Sequence, residues 1–131
     1  MARILIAEDE EALRSFVARA LAQDGHEVLV TADGAEALDL MIRDGGRFDL
    51  LLADVRMPVM DGIALALAVA RDYPEAIILL MTGYADQRER AHGLDALIHD
   101  VITKPFTLAE IRAAVQEALD RRTDDGPQTT E

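Results

Sequence analysis

The chain has no cysteine and no tryptophan. Disulfide staples and thiolate metal sites are therefore excluded. Only five aromatic side chains occur in 131 residues, Phe16, Phe48, Tyr73, Tyr84 and Phe106, so the core has to be aliphatic. The three histidines, His26, His92 and His99, fit no zinc spacing. No run approaches the ~20 consecutive apolar residues of a membrane-spanning helix. The opening Met1-Ala2-Arg3 enters a strand at once and does not read as a signal peptide. A soluble cytoplasmic protein is expected, with no membrane partner. Basic residues are also short, 13 against 25 acidic ones, for a net charge of −12. That balance argues against nucleic acid and against anionic membranes, both of which call for a basic surface. A basic or zwitterionic protein partner stays open. Lysine is scarcest. Twelve of the thirteen cations are Arg and one, Lys104, is Lys. A lone Lys suggests a place that needs a compact ammonium rather than a guanidinium fork; the alternative is chance.

What the chain does have is apolar runs that stop at polar residues. Ile4-Leu5-Ile6-Ala7 ends at Glu8-Asp9, Leu50-Leu51-Leu52-Ala53 at Asp54, Ile77-Ile78-Leu79-Leu80-Met81 at Thr82, and Val101-Ile102-Thr103 at Lys104-Pro105. Short apolar runs between helical stretches read as buried parallel strands. Helical patterns cover residues 11–24, with Leu13, Phe16, Val17, Ala20 and Leu21 on one face, then residues 62–72 and a stretch from residue 107 to about 121. Asp33 with Glu36, and Thr107 with Glu110, read as capping boxes that open helices. Gly25 and Gly45-Gly46 close two of them, and Pro74 stops a third. Residues 27–32 form a further strand at a sheet edge, residues 98–103 the last one, and residues 85–93 a weakly apolar helix. Strand and helix thus alternate five times, which predicts a three-layer α/β domain with a parallel sheet over residues 1–122. Residues 123–131 lack large apolar side chains and are expected to form a disordered acidic tail.

In a parallel sheet, ligands lie at the carboxyl ends of the strands. Glu8, Asp9 and Asp54 would share that edge with Thr82 and Lys104. Clustered carboxylates suit a hard cation such as Mg²⁺; hydroxyl and ammonium suit phosphoryl oxygens. Each residue has a plainer reading. Glu8 and Asp9 could merely favour a helix N-terminus, Asp54 could be a solvated loop carboxylate, and Thr82 a backbone-bonded hydroxyl. The loop Asp54-Val55-Arg56-Met57-Pro58-Val59-Met60-Asp61-Gly62 is stiffened by Pro58 and turns at Asp61-Gly62. A backbone carbonyl near Arg56 is a candidate further ligand. The bond before Pro105 is a candidate cis peptide.

Together, Glu8-Asp9, Asp54 with its MPxMDG loop, Thr82-Gly83 and Lys104-Pro105-Phe106 resemble a two-component response-regulator receiver domain over residues 3–119. The resemblance implies a flavodoxin-like fold, a five-stranded parallel sheet in the order 2-1-3-4-5 with helices on both faces. It implies that Asp54 accepts a phosphoryl group from a histidine kinase or histidine phosphotransferase. Glu8 and Asp9 would hold Mg²⁺ with Asp54 and the Arg56 carbonyl, Thr82 would bond the phosphoryl group and Lys104 would pair with it. No enzymatic turnover is implied beyond the domain's own phosphorylation and slow dephosphorylation. One position departs from the pattern. Receiver domains often carry a switch aromatic three residues before the lysine, and here that residue is Val101. Tyr84 is the candidate replacement; otherwise the switch lies in the weak helix and its loops.

The chain shows no output domain, so the receiver itself is expected to be the effector. The segments RILIAEDEEALRSFVARALAQDGHEV, LLADVRMPVMDG, TGYA and VITKPFTLAEI look most like the CpdR group of small alphaproteobacterial regulators. That resemblance implies an adaptor whose unphosphorylated form engages the ClpX unfoldase for ClpXP proteolysis. The runner-up is a phosphorelay or cell-cycle receiver that binds kinases without a protease role. A Mg²⁺-dependent aspartyl phosphatase also combines Asp, Thr and Lys, but there is no DxDxT after the first strand and no cap insertion.

Overall fold

In the computed structural model, residues 2–83, 89–91 and 93–128 are described, and of residues 122–128 only the backbone. The described strands are β1 (Arg3–Ala7), β2 (Glu27–Thr31), β3 (Leu50–Asp54), β4 (Ile77–Thr82) and β5 (Asp100–Thr103). They form one five-stranded parallel sheet in the order β2-β1-β3-β4-β5. The order and direction are those expected.

Strand alternation sorts the aliphatic residues into two cores. Ile4, Ile6, Leu50, Leu52, Leu79 and Met81 point to one face, where α1 (Glu11–Gln23) brings Val17 and Leu21 and the C-terminal helix brings Ile111, Val115 and Ala118. Leu5, Ala7, Leu51, Ala53, Ile78 and Leu80 point to the other, under α2 (Gly34–Arg43) and α3 (Gly62–Asp72). All five residues of β3 are buried because the strand is covered on both faces. Edge strand β2 is half-exposed. At the amino end of the sheet Arg3 lies 4.4 Å over the Phe48 ring and pairs with Glu27 and Asp44.

Helix ends follow the expected chemistry. The Asp33 side chain accepts from the Glu36 amide at 2.8 Å, while Glu36 reaches back to the Ala32 amide at 2.7 Å. Thr107 and Glu110 form the reciprocal pair at 3.1 and 2.7 Å. That pair opens α4 (Leu108–Gln128).

Three expectations need correction. Phe16 is 46% exposed rather than part of the α1 stripe; Val17, Ala20 and Leu21 fill the contact and leave Phe16 at its flank. β5 starts at Asp100, not residue 98, because the Ile98 amide still closes a turn onto the Leu94 carbonyl at 3.1 Å. The α4 backbone runs to Gln128, past the expected end near residue 121 and through most of the stretch expected to be disordered. Of the expected helix over residues 85–93, residues 89–91 are helical; residues 84–88 and 92 lie outside the described residues.

Candidate functional site

The sheet register brings the polar terminators together. Ala7 sits beside Ala53, Asp54 beside Met81, and Thr82 beside Thr103. The next residues on β1 and β5 are Glu8 and Lys104. Lys104 Nζ donates to Asp54 Oδ2 at 2.8 Å and to Glu8 Oε1 at 3.1 Å. Glu8, Asp9 and Asp54 each offer a carboxylate oxygen, all within 4.8 Å of one another. Glu8 and Asp54 are buried, and Asp9 is exposed at the mouth. A cavity of roughly 640 Å³ opens above them, lined also by Glu10, Arg56, Gly83 and Lys104.

Burial pushes the Glu8 carboxyl up to about 7; the neighbouring Asp54 adds to the rise, while the Glu10 amide and Lys104 oppose it. The Glu10 amide donates to Glu8 Oε2 at 2.9 Å. For Lys104, burial works against its charge, but the contacts with Asp54 and Glu8 outweigh it and hold the ammonium above its ordinary value. Three clustered carboxylates repel one another unless cations join them. One ammonium leaves a surplus of negative charge, which a hard divalent cation with oxygen ligands would complete.

The loop that follows β3 is held from several sides. The Arg56 amide points at Asp54 Oδ1 from 3.3 Å. The Asp61 side chain caps α3 by accepting from the Ala64 amide at 2.8 Å, and its other oxygen lies 3.5 Å from Arg90. Gly62 packs so tightly that a Cβ there would sit 2.2 Å from the Asp54 carbonyl oxygen. After Pro58 the loop passes through Val59 at φ 69°, and the Met60 amide donates to the Pro58 carbonyl at 2.7 Å. A β-branched residue in the left-handed region is strained, and Val59 adopts it with its side chain exposed. The Lys104-Pro105 bond is cis.

Glu8, Asp9, Asp54, Arg56 and Lys104 therefore line one cavity. Thr82 is buried at the end of β4. Val101 is buried in the core on the α3 side, in the same cluster as Ala91, and Tyr84 lies outside the described residues. The sequence pattern overlooked Glu10, whose amide holds Glu8, and Arg14, whose Nη1 donates to the Glu8 carbonyl at 2.9 Å. Both act on or through the main chain, which residue patterns do not encode.

A family model described as the response regulator receiver domain matches residues 4–116. The chain belongs to that family. It is thus a receiver of two-component signalling, and receiver domains interact with histidine kinases. They bind Mg²⁺ at an acidic pocket of the kind that Glu8, Asp9 and Asp54 supply here. The chain is similar to the response regulator MprA of Mycolicibacterium vanbaalenii, 38% identical over 125 residues that cover 95% of this chain and 53% of that one. It is equally similar, 38% over 120 residues, to the transcriptional regulatory protein TcrA of Mycobacterium tuberculosis, covering 92% of this chain and 46% of that protein. The receiver thus spans about half the length of these curated relatives. Among solved structures, the response regulator TrrA of Thermotoga maritima, in complex with Mg²⁺-BeF, superposes with a TM-score of 0.79 at 27% identity, covering 90% of this chain and 99% of that one. None of the described helices is long and apolar enough to cross a membrane.

Proposed function

We propose that Asp54 is the phosphoacceptor of this receiver and that its phosphorylation state governs binding to a protein partner. The observation that carries the reading is the Lys104 ammonium bridging Asp54 and Glu8, with Asp9 completing a three-carboxylate cluster around the same cavity. An Asp54 oxygen attacks the phosphorus of a phosphohistidine on a kinase or phosphotransferase. The P–O bond forms as the P–N bond breaks, and the imidazole leaves with the bonding pair. Glu8, Asp9, Asp54 and the Arg56 carbonyl are the candidate ligands of Mg²⁺, which when bound neutralises charge on the transferring oxygens. Lys104 stays beside Asp54 to pair with the phosphoryl group, and the Thr82 hydroxyl accompanies it from β4. Pro58, Asp61, Gly62 and Pro105 fix the two loops that carry Asp54 and Lys104. Residues 1–122 would be the receiver unit and residues 123–131 an acidic tail. The surface that changes would run over residues 85–93, β5 and the start of α4, with Tyr84 or the Val101 region taking the place of the usual aromatic.

For the output, the four CpdR-like sequence segments favour an adaptor that engages ClpX while unphosphorylated. The name of TcrA, a transcriptional regulatory protein, favours a second reading in which the receiver controls transcription. That reading keeps nucleic acid open at the level of a larger assembly, although the −12 charge of this chain disfavours direct contact by the receiver. Acetyl phosphate with Mg²⁺ should add one acid-labile phosphoryl group, and Asp54→Asn should abolish it. Full labelling of Asp54→Asn would refute the assignment. ClpX should bind Asp54→Ala more tightly than the phosphorylated protein. Equal affinity, or none in either state, removes the adaptor reading and leaves the phosphorelay and transcriptional ones.

A further inference from the structure

We propose that Arg14 is a positioning residue for the cation site: its guanidinium locks the peptide that joins Glu8 to Asp9 and so aims two of the three carboxylates. The inference rests on the reading of Glu8, Asp9 and Asp54 as an Mg²⁺ site. The carbonyl that accepts from Arg14 Nη1 at 2.9 Å belongs to the Glu8–Asp9 peptide. Turning that peptide changes ψ of Glu8 and φ of Asp9 together, so this hydrogen bond bears on the exit direction of both side chains.

The neighbouring groups have anchors of their own. The Glu8 amide donates to the Thr31 carbonyl at 3.1 Å, and the Glu8 carboxylate is held by Lys104 and by the Glu10 amide. The Asp9 carboxylate is exposed and, among the described residues, has no hydrogen bond or ion pair. Its aim depends on the backbone beneath it. Arg14 is well placed to supply that hold: its own amide donates to the Glu10 carbonyl at 2.9 Å, which fixes it to the first turn of α1.

The choice of acceptor is informative. Arg14 follows a run of four acidic residues, Glu8 to Glu11, yet among the described residues it forms no salt bridge. A charge-assisted donor would ordinarily favour a carboxylate. By bonding a main-chain oxygen Arg14 itself occupies none of the carboxylate oxygens of the cluster. Supports behind a first ligand shell are commonly worth ten- to a hundredfold in metal affinity.

The sign of the effect separates positioning from simple charge. If Arg14 acts only as a nearby cation, its removal makes the pocket more negative and Mg²⁺ binds more tightly. If it positions the peptide, its removal weakens binding. The test is an Mg²⁺ titration of the full chain, followed by amide NMR shifts at Asp9 and Asp54, on wild type, Arg14→Ala and Arg14→Lys. We expect Arg14→Ala to raise the Mg²⁺ dissociation constant about tenfold. In acetyl phosphate labelling, the half-saturating Mg²⁺ concentration should rise by the same factor, and the rate at saturating Mg²⁺ should stay within about twofold of wild type. Unchanged or tighter binding in Arg14→Ala overturns the proposal. Should Arg14→Ala fail to fold, Arg14→Lys decides on the same criterion, since it keeps the charge but loses the fork that reaches the carbonyl. Absence of Mg²⁺ binding in the wild type would instead refute the cation site itself.

Discussion

Glu8 should make the apo protein less stable as the pH rises through the range where most proteins gain stability. In the folded protein its carboxyl is pushed up to about 7, chiefly by burial, against an ordinary value of 4.5. Below 4.5 the group is protonated in both states and contributes nothing. Between the two values the folded protein holds a proton that the unfolded chain has released, so stability falls with increasing pH. Above about 7 the full cost is present. At about 1.4 kcal/mol per pH unit the window is worth up to about 3.5 kcal/mol, and about 1–3 kcal/mol is expected given water at the cavity mouth. Glu8→Gln mimics the protonated form and removes the dependence. The assay is urea unfolding in chelator at pH 5, 6 and 7.5, read as the difference between wild type and Glu8→Gln, which cancels the other carboxylates. The gap between variant and wild type should be small at pH 5 and grow to about 1–3 kcal/mol at pH 7.5. Millimolar Mg²⁺ should close that gap, because the cation binds the ionised carboxylate. A difference that does not change with pH, or that grows toward acid, would refute the argument.

Four further outcomes are expected. Mg²⁺ at millimolar concentration should stabilise the wild type by about 1 kcal/mol through mass action, and an unmoved melting temperature, with Asp9→Ala behaving like wild type, would contradict the site. Gly62→Ala should cost about 1–3 kcal/mol in chemical denaturation, since its Cβ would meet the Asp54 carbonyl oxygen at 2.2 Å; a loss under half a kilocalorie would mean the loop gives way freely. Lys104→Arg should fold and take label at Asp54 but lose the phosphorylation-induced amide shifts on β4 and β5, because the wider fork does not fit between Glu8 and Asp54. Phe16→Gln should change stability by less than about 0.5 kcal/mol, as the ring is 46% exposed; a large loss would place it back in the α1 contact.

The site was legible because of how buried parallel strands end. A strand covered on both faces tolerates almost nothing but aliphatic residues, so its first polar residue marks where the sheet stops and the cavity begins. Asp54 after four apolar residues, and Lys104 as the lone lysine, stand out for that reason. What stayed hidden depends on relations that no residue pattern carries. Arg14 carries no signal of its own in the sequence because its acceptor is a main-chain oxygen. Phe16 has the right helical spacing, but a narrow contact face had no room for it. The start of β5 was misplaced because Ile98, apolar enough for a strand, closes a turn instead. The capping boxes were readable in full, since both partners are side chains three residues apart meeting local amides.

The contact between Lys104 and Glu8 spans 96 residues of chain, and that with Asp54 spans 50. During synthesis the acidic side of the pocket leaves the ribosome long before its neutralising ammonium. A nascent chain that ends ahead of β5 carries Glu8 and Asp54 with no lysine to join them, and their mutual repulsion opposes closing β1 against β3. Contacts this distant in sequence are also the ones whose loop entropy is met last and that slow folding most. The pocket therefore cannot close before β5 has been made, and the pairing of β5 with β4 is the step that carries the ammonium to its two carboxylates.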